Sequence, residues 1–333
     1  MNALCLTAPE SFKMLSLPEP PCPGAGEALV AVRRIGICGT DLSGYLGKMP
    51  FIQCPRILGH ELAVEILAIG PGVMHLQVGD FCAVEPYLHC GDCQPCALGR
   101  TNCCENLQVL GVHVDGGMRE RLLLPAGKLH RGNELPLESL ALVETLAIGC
   151  HAVNRASLKK DEEVLIIGAG PIGLTVLIFA RLAGARITVL ERSEMRREFV
   201  RALYPEIRIM TDSPDAAMAH AVFDATGNPE SMSHALRLAH FGGRVVYVGI
   251  TSQPVPLDDA LFHRRELTLL ASRNAVADDF KRIVALIASG QVQVAPWVTH
   301  GCDLEELPKA MAQWLQPASG VIKAMVTVPS ASC

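Results

Sequence analysis

The sequence predicts an α/β protein of two domains, one mainly β and one built on a doubly wound parallel sheet. Three observations carry that reading. Up to about residue 150 the chain is rich in glycine, proline and short β-type runs. From about Gly149 apolar strand-like runs alternate with helical stretches. The glycine motif Gly168-Ala169-Gly170-Pro171-Ile172-Gly173 stands at the first strand-to-helix junction of that second part. A chain of 333 residues, half of them hydrophobic, suffices for two ordinary cores.

In the first part, runs such as 28–33, 63–69 and 81–84 are separated by Gly-Pro or Gly-Asp turns, which reads as irregular β structure carrying functional loops. In the second part, six runs (164–167, 187–190, 207–210, 221–224, 245–248 and 267–271) have mostly helical connections, the pattern of a parallel sheet wound on both faces. The stretch 170–183 reads as a buried helix. After about Arg273 come a helix over 278–289, an amphipathic stretch over 304–315 and a strand-like tail over 321–328.

Cys90, Cys93, Cys96 and Cys104 fall at intervals of three, three and eight. No strand or helix period needs that spacing, whereas a tetrahedral zinc does: four thiolates at roughly 2.3 Å, supplied by one small loop. Gly91, Pro95 and Gly99 supply its bends. Four sulfur ligands leave no position for substrate, so this zinc is structural. A disulfide knot is the alternative, disfavoured because the rest of the chain reads as cytoplasmic with reduced thiols. Cys103 is the spare thiol of the run.

Gly168–Gly173 follows a strand and opens a helix, the context a dinucleotide-binding G-x-G-x-x-G requires. Gly168 allows the tight turn, Gly170 lets the pyrophosphate approach, and Gly173 lets helix and strand pack closely. Pro171 and Ile172 start the helix whose N-terminus faces the phosphates. Glu191, 23 residues after Gly168, ends the next strand; its carboxylate suits ribose hydroxyls and repels a 2′-phosphate, which predicts NAD over NADP. Arg192 is the complication, since a guanidinium there can pair with a 2′-phosphate.

A second metal site is read from Gly36-Ile37-Cys38-Gly39-Thr40-Asp41 and Gly59-His60-Glu61. Cys38 and His60 are a soft and a borderline ligand for zinc. Glu61 follows directly, and Glu144 lies in the apolar segment 140–146, where a carboxylate is costly unless paired or metal-bound. Three protein ligands and one exchangeable position make a catalytic zinc.

These motifs, in this order over essentially the whole chain, resemble the zinc-containing medium-chain alcohol and polyol dehydrogenases, and within them the sorbitol, threonine and sugar-acid branch. The resemblance implies a GroES-like catalytic domain, 1–148 and 273–333, discontinuous around a Rossmann NAD-binding domain, 149–272. It implies two zincs and NAD per subunit, and hydride transfer between a secondary alcohol and the nicotinamide. Cys38 and His60 would bind the catalytic zinc with Glu144 or Glu61 as third ligand, Asp41 would orient His60, and Thr40 would relay the proton. Many relatives carry histidine where this chain has Ser43, and serine is no base near neutral pH; His113 and His151 are conceivable substitutes. Arg273 is a candidate for a sugar-acid carboxylate, and Lys323 for the cofactor phosphates. Family members are homodimers or homotetramers.

Net charge is −5, so no basic field invites nucleic acid, and no apolar run approaches the ~20 residues of a membrane span. A small-molecule polyol or sugar acid is the expected partner. Two other readings fit the same residues: a simple alcohol dehydrogenase of the family, or a catalytically silent zinc- and NAD-binding protein.

Overall fold

The computed structural model describes residues 1–316 and 318–329. The chain forms two compact units, Met1–Glu144 with Val276–Cys333, and Thr145–Ala275. The first change-over falls inside a continuous helix, Val143–Ala156, whose middle contains the Gly149 that marks the change in composition.

The first unit is organised by a seven-stranded mixed sheet. Its path runs Leu129–Arg131, Phe81–Val84, Glu61–Ile69, Glu27–Ile37, Lys323–Thr327 and Val298–Asp303, with Arg121–Pro125 also pairing on Glu27–Ile37. The last strand of the chain lies antiparallel to Glu27–Ile37, pairing Ala324 with Ile37, so the C-terminal segment completes a sheet begun some 300 residues earlier. Val30, Ile35, Leu62, Ile66 and Val326 are buried in its core.

In the second unit, six parallel strands lie in the order Arg208–Met210, Arg186–Leu190, Glu163–Ile167, Ala219–Asp224, Ala239–Tyr247, Thr268–Ala271. This is the 3-2-1-4-5-6 order of a dinucleotide fold, whose crevice opens where the strand order reverses, between the first and fourth strands. Leu165, Val222 and Val245 are fully buried, which explains why these strands read as continuous apolar runs rather than alternating ones. The helix Pro171–Leu182 is buried at every residue from Gly173 to Ala180, as its apolar sequence predicts. Among the described residues no helix is long and apolar enough to cross a membrane.

Candidate functional site

The second metal motif is assembled by a strand, a turn and a short helix. Cys38 ends the strand Glu27–Ile37 and starts the helix Gly39–Tyr45; His60 and Glu61 begin the neighbouring strand Glu61–Ile69. Asp41 locks the two together. Its carboxylate accepts the backbone N–H of Cys38 at 2.9 Å and of Gly59 at 3.2 Å. Sequence reasoning gave Asp41 the His60 ring; its Oδ1 is 3.8 Å from His60 Nδ1, beyond hydrogen-bond length, so its firm contacts are to backbone.

One ligand atom each from Cys38, His60 and Glu61 lie within 4.8 Å of one another. Glu61 is fully buried: Oε1 accepts from the ammonium of Lys323, itself 2 % exposed, and Oε2 has no hydrogen-bond partner. A buried carboxylate oxygen without a donor is costly, and a cation is the partner that would relieve it. The thiol, imidazole and carboxylate donor set suits zinc. Gly36, opposite Glu61 in the sheet, makes the room: a Cβ there would stand 2.1 Å from Glu61 Oε2.

Glu144 stands outside this three-residue set and its Oε1 accepts the buried Tyr87 hydroxyl. Burial raises the Glu144 carboxyl above its ordinary value, and Glu61 adds to the rise. Burial would lower His60, but the negative charge of Asp41 and the Cys38 thiol reverse that and raise it well above the usual histidine value. Thr40 lies in the first turn of the helix that Cys38 opens, and Ser43 one turn on.

The four-cysteine loop forms a closed cluster. Cys104 Sγ is 3.4 Å from Cys90 Sγ and 3.8 Å from Cys93 Sγ, and Cys96 completes the set. Thiolates on a tetrahedral zinc at ~2.3 Å lie roughly 3.8 Å apart. All four are free thiols, so the disulfide alternative does not hold. Cys104 is buried and in the cluster while Cys103 faces outward. Backbone N–H groups of Glu105 and Cys96 lower the Cys93 thiol to about 7.

In the second unit a cleft of about 710 Å³ opens at the carboxyl ends of the strands, lined by Gly168, Gly170, Glu191, Arg192, Arg196 and Thr226 among others. Gly168 holds φ at +93°, and a Cβ on Gly173 would stand 1.8 Å from the Gly168 carbonyl oxygen. Gly170 caps the helix Pro171–Leu182 without a side-chain bond and itself lines the cleft, so no cap side chain takes the N–H groups of this helix start. Glu191 also braces the backbone. Its Oε2 accepts Ala169 N–H and its Oε1 accepts Ser193 N–H, both at 2.7 Å, which fixes the phosphate turn to the next one.

The sequence matches the family models for the alcohol dehydrogenase GroES-like domain over residues 24–134 and for zinc-binding dehydrogenase over residues 171–289. It is 36 % identical to L-galactonate-5-dehydrogenase of Escherichia coli K12, over 98 % of this chain and 99 % of that one. The chain belongs to the zinc-binding medium-chain dehydrogenases. A further relative of this dehydrogenase is the L-arabinitol 4-dehydrogenase of Penicillium rubens, 32 % identical over 91 % of this chain and 86 % of the relative. Among solved structures, that of RspB from Escherichia coli CFT073 complexed with NADH superposes with a TM-score of 0.91 at 28 % identity, covering 98 % of this chain and 99 % of that one. The two units are thus a GroES-like and a Rossmann domain, and the protein is a zinc- and NAD-dependent oxidoreductase of the polyol and sugar-acid type.

The structure places the remaining candidate residues of the dehydrogenase as follows. Lys323 does not reach for phosphates; it is buried against Glu61 in the first unit. His113 is exposed and its Nδ1 accepts the Val109 N–H, closing its own turn. His151 sits on the helix Val143–Ala156. Arg273 is exposed, just past the strand Thr268–Ala271. Sequence reasoning missed Tyr87, Arg196 and the Lys323–Glu61 pair. A lysine inside the apolar run 321–326 carries the same signal that singled out Glu144.

Proposed function

We propose that the chain oxidises a secondary carbinol of a sugar acid, of the kind L-galactonate presents, to the ketone with NAD, reversibly. The observation that carries this is the convergence of Cys38, His60 and Glu61 with one buried carboxylate oxygen left open. The whole-length likeness to a galactonate dehydrogenase supports the substrate class.

Zinc would supply a Lewis acid at the carbinol oxygen, and NAD a hydride acceptor. The rest falls to the chain. Cys38, His60 and Glu61 would hold the metal as three protein ligands, leaving a position for substrate. Glu61 is preferred to Glu144 because Lys323 anchors one of its oxygens and leaves the other open, while Tyr87 occupies Glu144. Thr40 would relay the carbinol O–H proton onward, giving one proton up as it takes one. With Ser43 unable to act as a base, water would carry that proton away. Gly168, Gly170, Pro171, Ile172 and Gly173 would cradle the pyrophosphate, Glu191 the ribose hydroxyls, with Arg192 at the edge of the cleft. Arg273 would grip the sugar-acid carboxylate bidentately. The working form is a homodimer or homotetramer; the strand Thr268–Ala271, paired on one side only among the described residues, offers an edge for assembly.

NAD-linked turnover on a panel of aldonates, neutral polyols and primary alcohols tests this. Turnover concentrated on one aldonate supports it. Activity on primary alcohols alone, or none with zinc bound, replaces it with a simple alcohol dehydrogenase or a silent binding protein.

A further inference from the structure

A third cluster of metal-binding side chains lies in the Rossmann domain, apart from both zinc motifs. Glu163, His220 and His240 each offer one ligand atom, all within 4.8 Å of one another. Glu163 begins the strand Glu163–Ile167, His220 is second in Ala219–Asp224, and His240 is second in Ala239–Tyr247; the three strands are neighbours in the sheet. All run parallel, so these residues sit at the amino edge. Glu163 is five residues before Gly168, which at ~3.3 Å per residue puts the cluster about 16 Å from the phosphate turn.

The backbone is irregular where the second histidine enters. Between the first two strands Val164 pairs with Ala221 in regular register. Between the second and third the register slips: Ala219 pairs with Ala239 but Ala221 with Arg244. The extra residues bulge outward, and such bulges re-aim side chains. Here the slip brings His240 beside His220, ring centroids 5.1 Å apart and planes at 74°.

The contacts divide the Glu163 carboxylate. Oε1 faces Arg186 Nη2 at 3.5 Å. Oε2 faces the imidazoles, 3.2 Å from His240 Nε2 and 3.7 Å from His220 Nδ1. Ligands on a tetrahedral zinc with bonds of ~2.0–2.1 Å lie roughly 3.3 Å apart, between those two values. His220 Nδ1 also accepts the Glu163 backbone N–H at 3.2 Å, a long bond that a metal would displace. Arg244, the other nearby cation, is spent on Glu162 and the Ala156 carbonyl. The site is partly open to solvent, with side-chain exposures of 44 %, 47 % and 35 % for Glu163, His220 and His240, so an ion can enter and water can fill the fourth position.

We propose that Glu163, His220 and His240 form a third, non-catalytic site for a borderline divalent cation such as zinc, cross-linking three strands at the amino edge of the Rossmann sheet. Two imidazoles and one carboxylate favour zinc or nickel over magnesium or calcium. The site lies at the opposite end of the strands from the dinucleotide cleft, so its occupancy should raise thermal stability without changing turnover.

Equilibrium dialysis of the holo-protein against micromolar zinc, followed by metal analysis, tests the proposal. The expected result is one zinc per chain beyond the family's two, with a higher Tm in zinc. His240→Gln and, separately, His220→Gln should each lose that extra zinc while keeping NADH binding and the four-cysteine zinc. No extra equivalent in the wild type overturns the proposal and leaves an ion-paired histidine cluster. An extra equivalent that survives both substitutions overturns it too, placing the ion elsewhere.

Discussion

Lys323 and Glu61 are 262 residues apart in sequence and form a buried ion pair, the lysine from the strand Lys323–Thr327 and the glutamate from the start of the strand Glu61–Ile69, next to His60. Each is nearly inaccessible, with 1 % side-chain exposure. The pair occupies one carboxylate oxygen and leaves the other, Oε2, without a hydrogen-bond partner, in a residue that offers a ligand atom within 4.8 Å of those of Cys38 and His60.

Removing that anchor should loosen the third metal ligand. Lys323→Met keeps the length of the side chain and removes the charge. Partners behind a ligand typically contribute 10–100-fold to metal affinity or activity, so the variant should lose catalytic zinc about that much more readily. Its four-cysteine zinc should stay. Competition against a chromophoric chelator reads both; unchanged release of both zincs would make Lys323 a packing residue only.

Glu85 belongs to a second buried ion pair. It pairs with Lys128 and lies 3.2 Å from His130, whose ring stacks on Phe280 at 5.0 Å. Burial would raise its carboxyl, but hydrogen bonds and charge from His130 and Lys128 reverse this and hold it below the ordinary value. A carboxyl depressed in the folded state contributes stability above its unfolded value, about 4.3 for glutamate, and loses it as pH falls through the folded one. Glu85→Gln should therefore cost about 3 kcal/mol at neutral pH, since it leaves the buried ammonium of Lys128 without a counter-charge and with His89 Nδ1, at 2.9 Å, as its remaining partner. The deficit should shrink below about pH 4, where the wild type also loses the charge. Urea titrations at several pH values measure this; a deficit independent of pH would contradict it.

The proposed preference for NAD rests on Glu191. Glu191→Gln keeps an acceptor for one backbone N–H and removes the charge that repels a 2′-phosphate. With Arg192 and Arg196 lining the same cleft, the NAD-to-NADP ratio of kcat/KM should shift toward NADP by about tenfold, ~1.4 kcal/mol. A wild type that already prefers NADP would refute the role assigned to Glu191.

The proposed substrate choice rests on Arg273. Arg273→Ala should raise KM for an aldonate far more than for a neutral polyol, because only the aldonate offers a carboxylate to a guanidinium fork. Equal effects on both would remove Arg273 from recognition.

Local chemistry was legible in the sequence and long-range partnership was not. The four-cysteine cluster was legible because its members all lie within fifteen residues, 90–104. Gly168–Gly173 was legible because strand, turn and helix are contiguous. The sheet's apolar strands were found within a few residues, but Ala239–Tyr247 begins six residues before the predicted run at 245 because a bulge with polar residues and two glycines starts it. The partners of Glu61 and Glu144, Lys323 and Tyr87, could not be read, since only the fold brings them together. Lys323 was misread for the same reason: nothing adjacent to it in sequence carries the charge it pairs with.

Whether Cys38, His60 and Glu61 hold a catalytic zinc decides the rest. Zinc per chain, measured together with NADH affinity in the wild type and in Cys38→Ser, tests it most directly. Cys38→Ser should contain one zinc fewer, bind NADH as the wild type does and have no turnover. A variant that keeps the wild-type zinc content, or that loses NADH binding along with activity, would contradict the assignment.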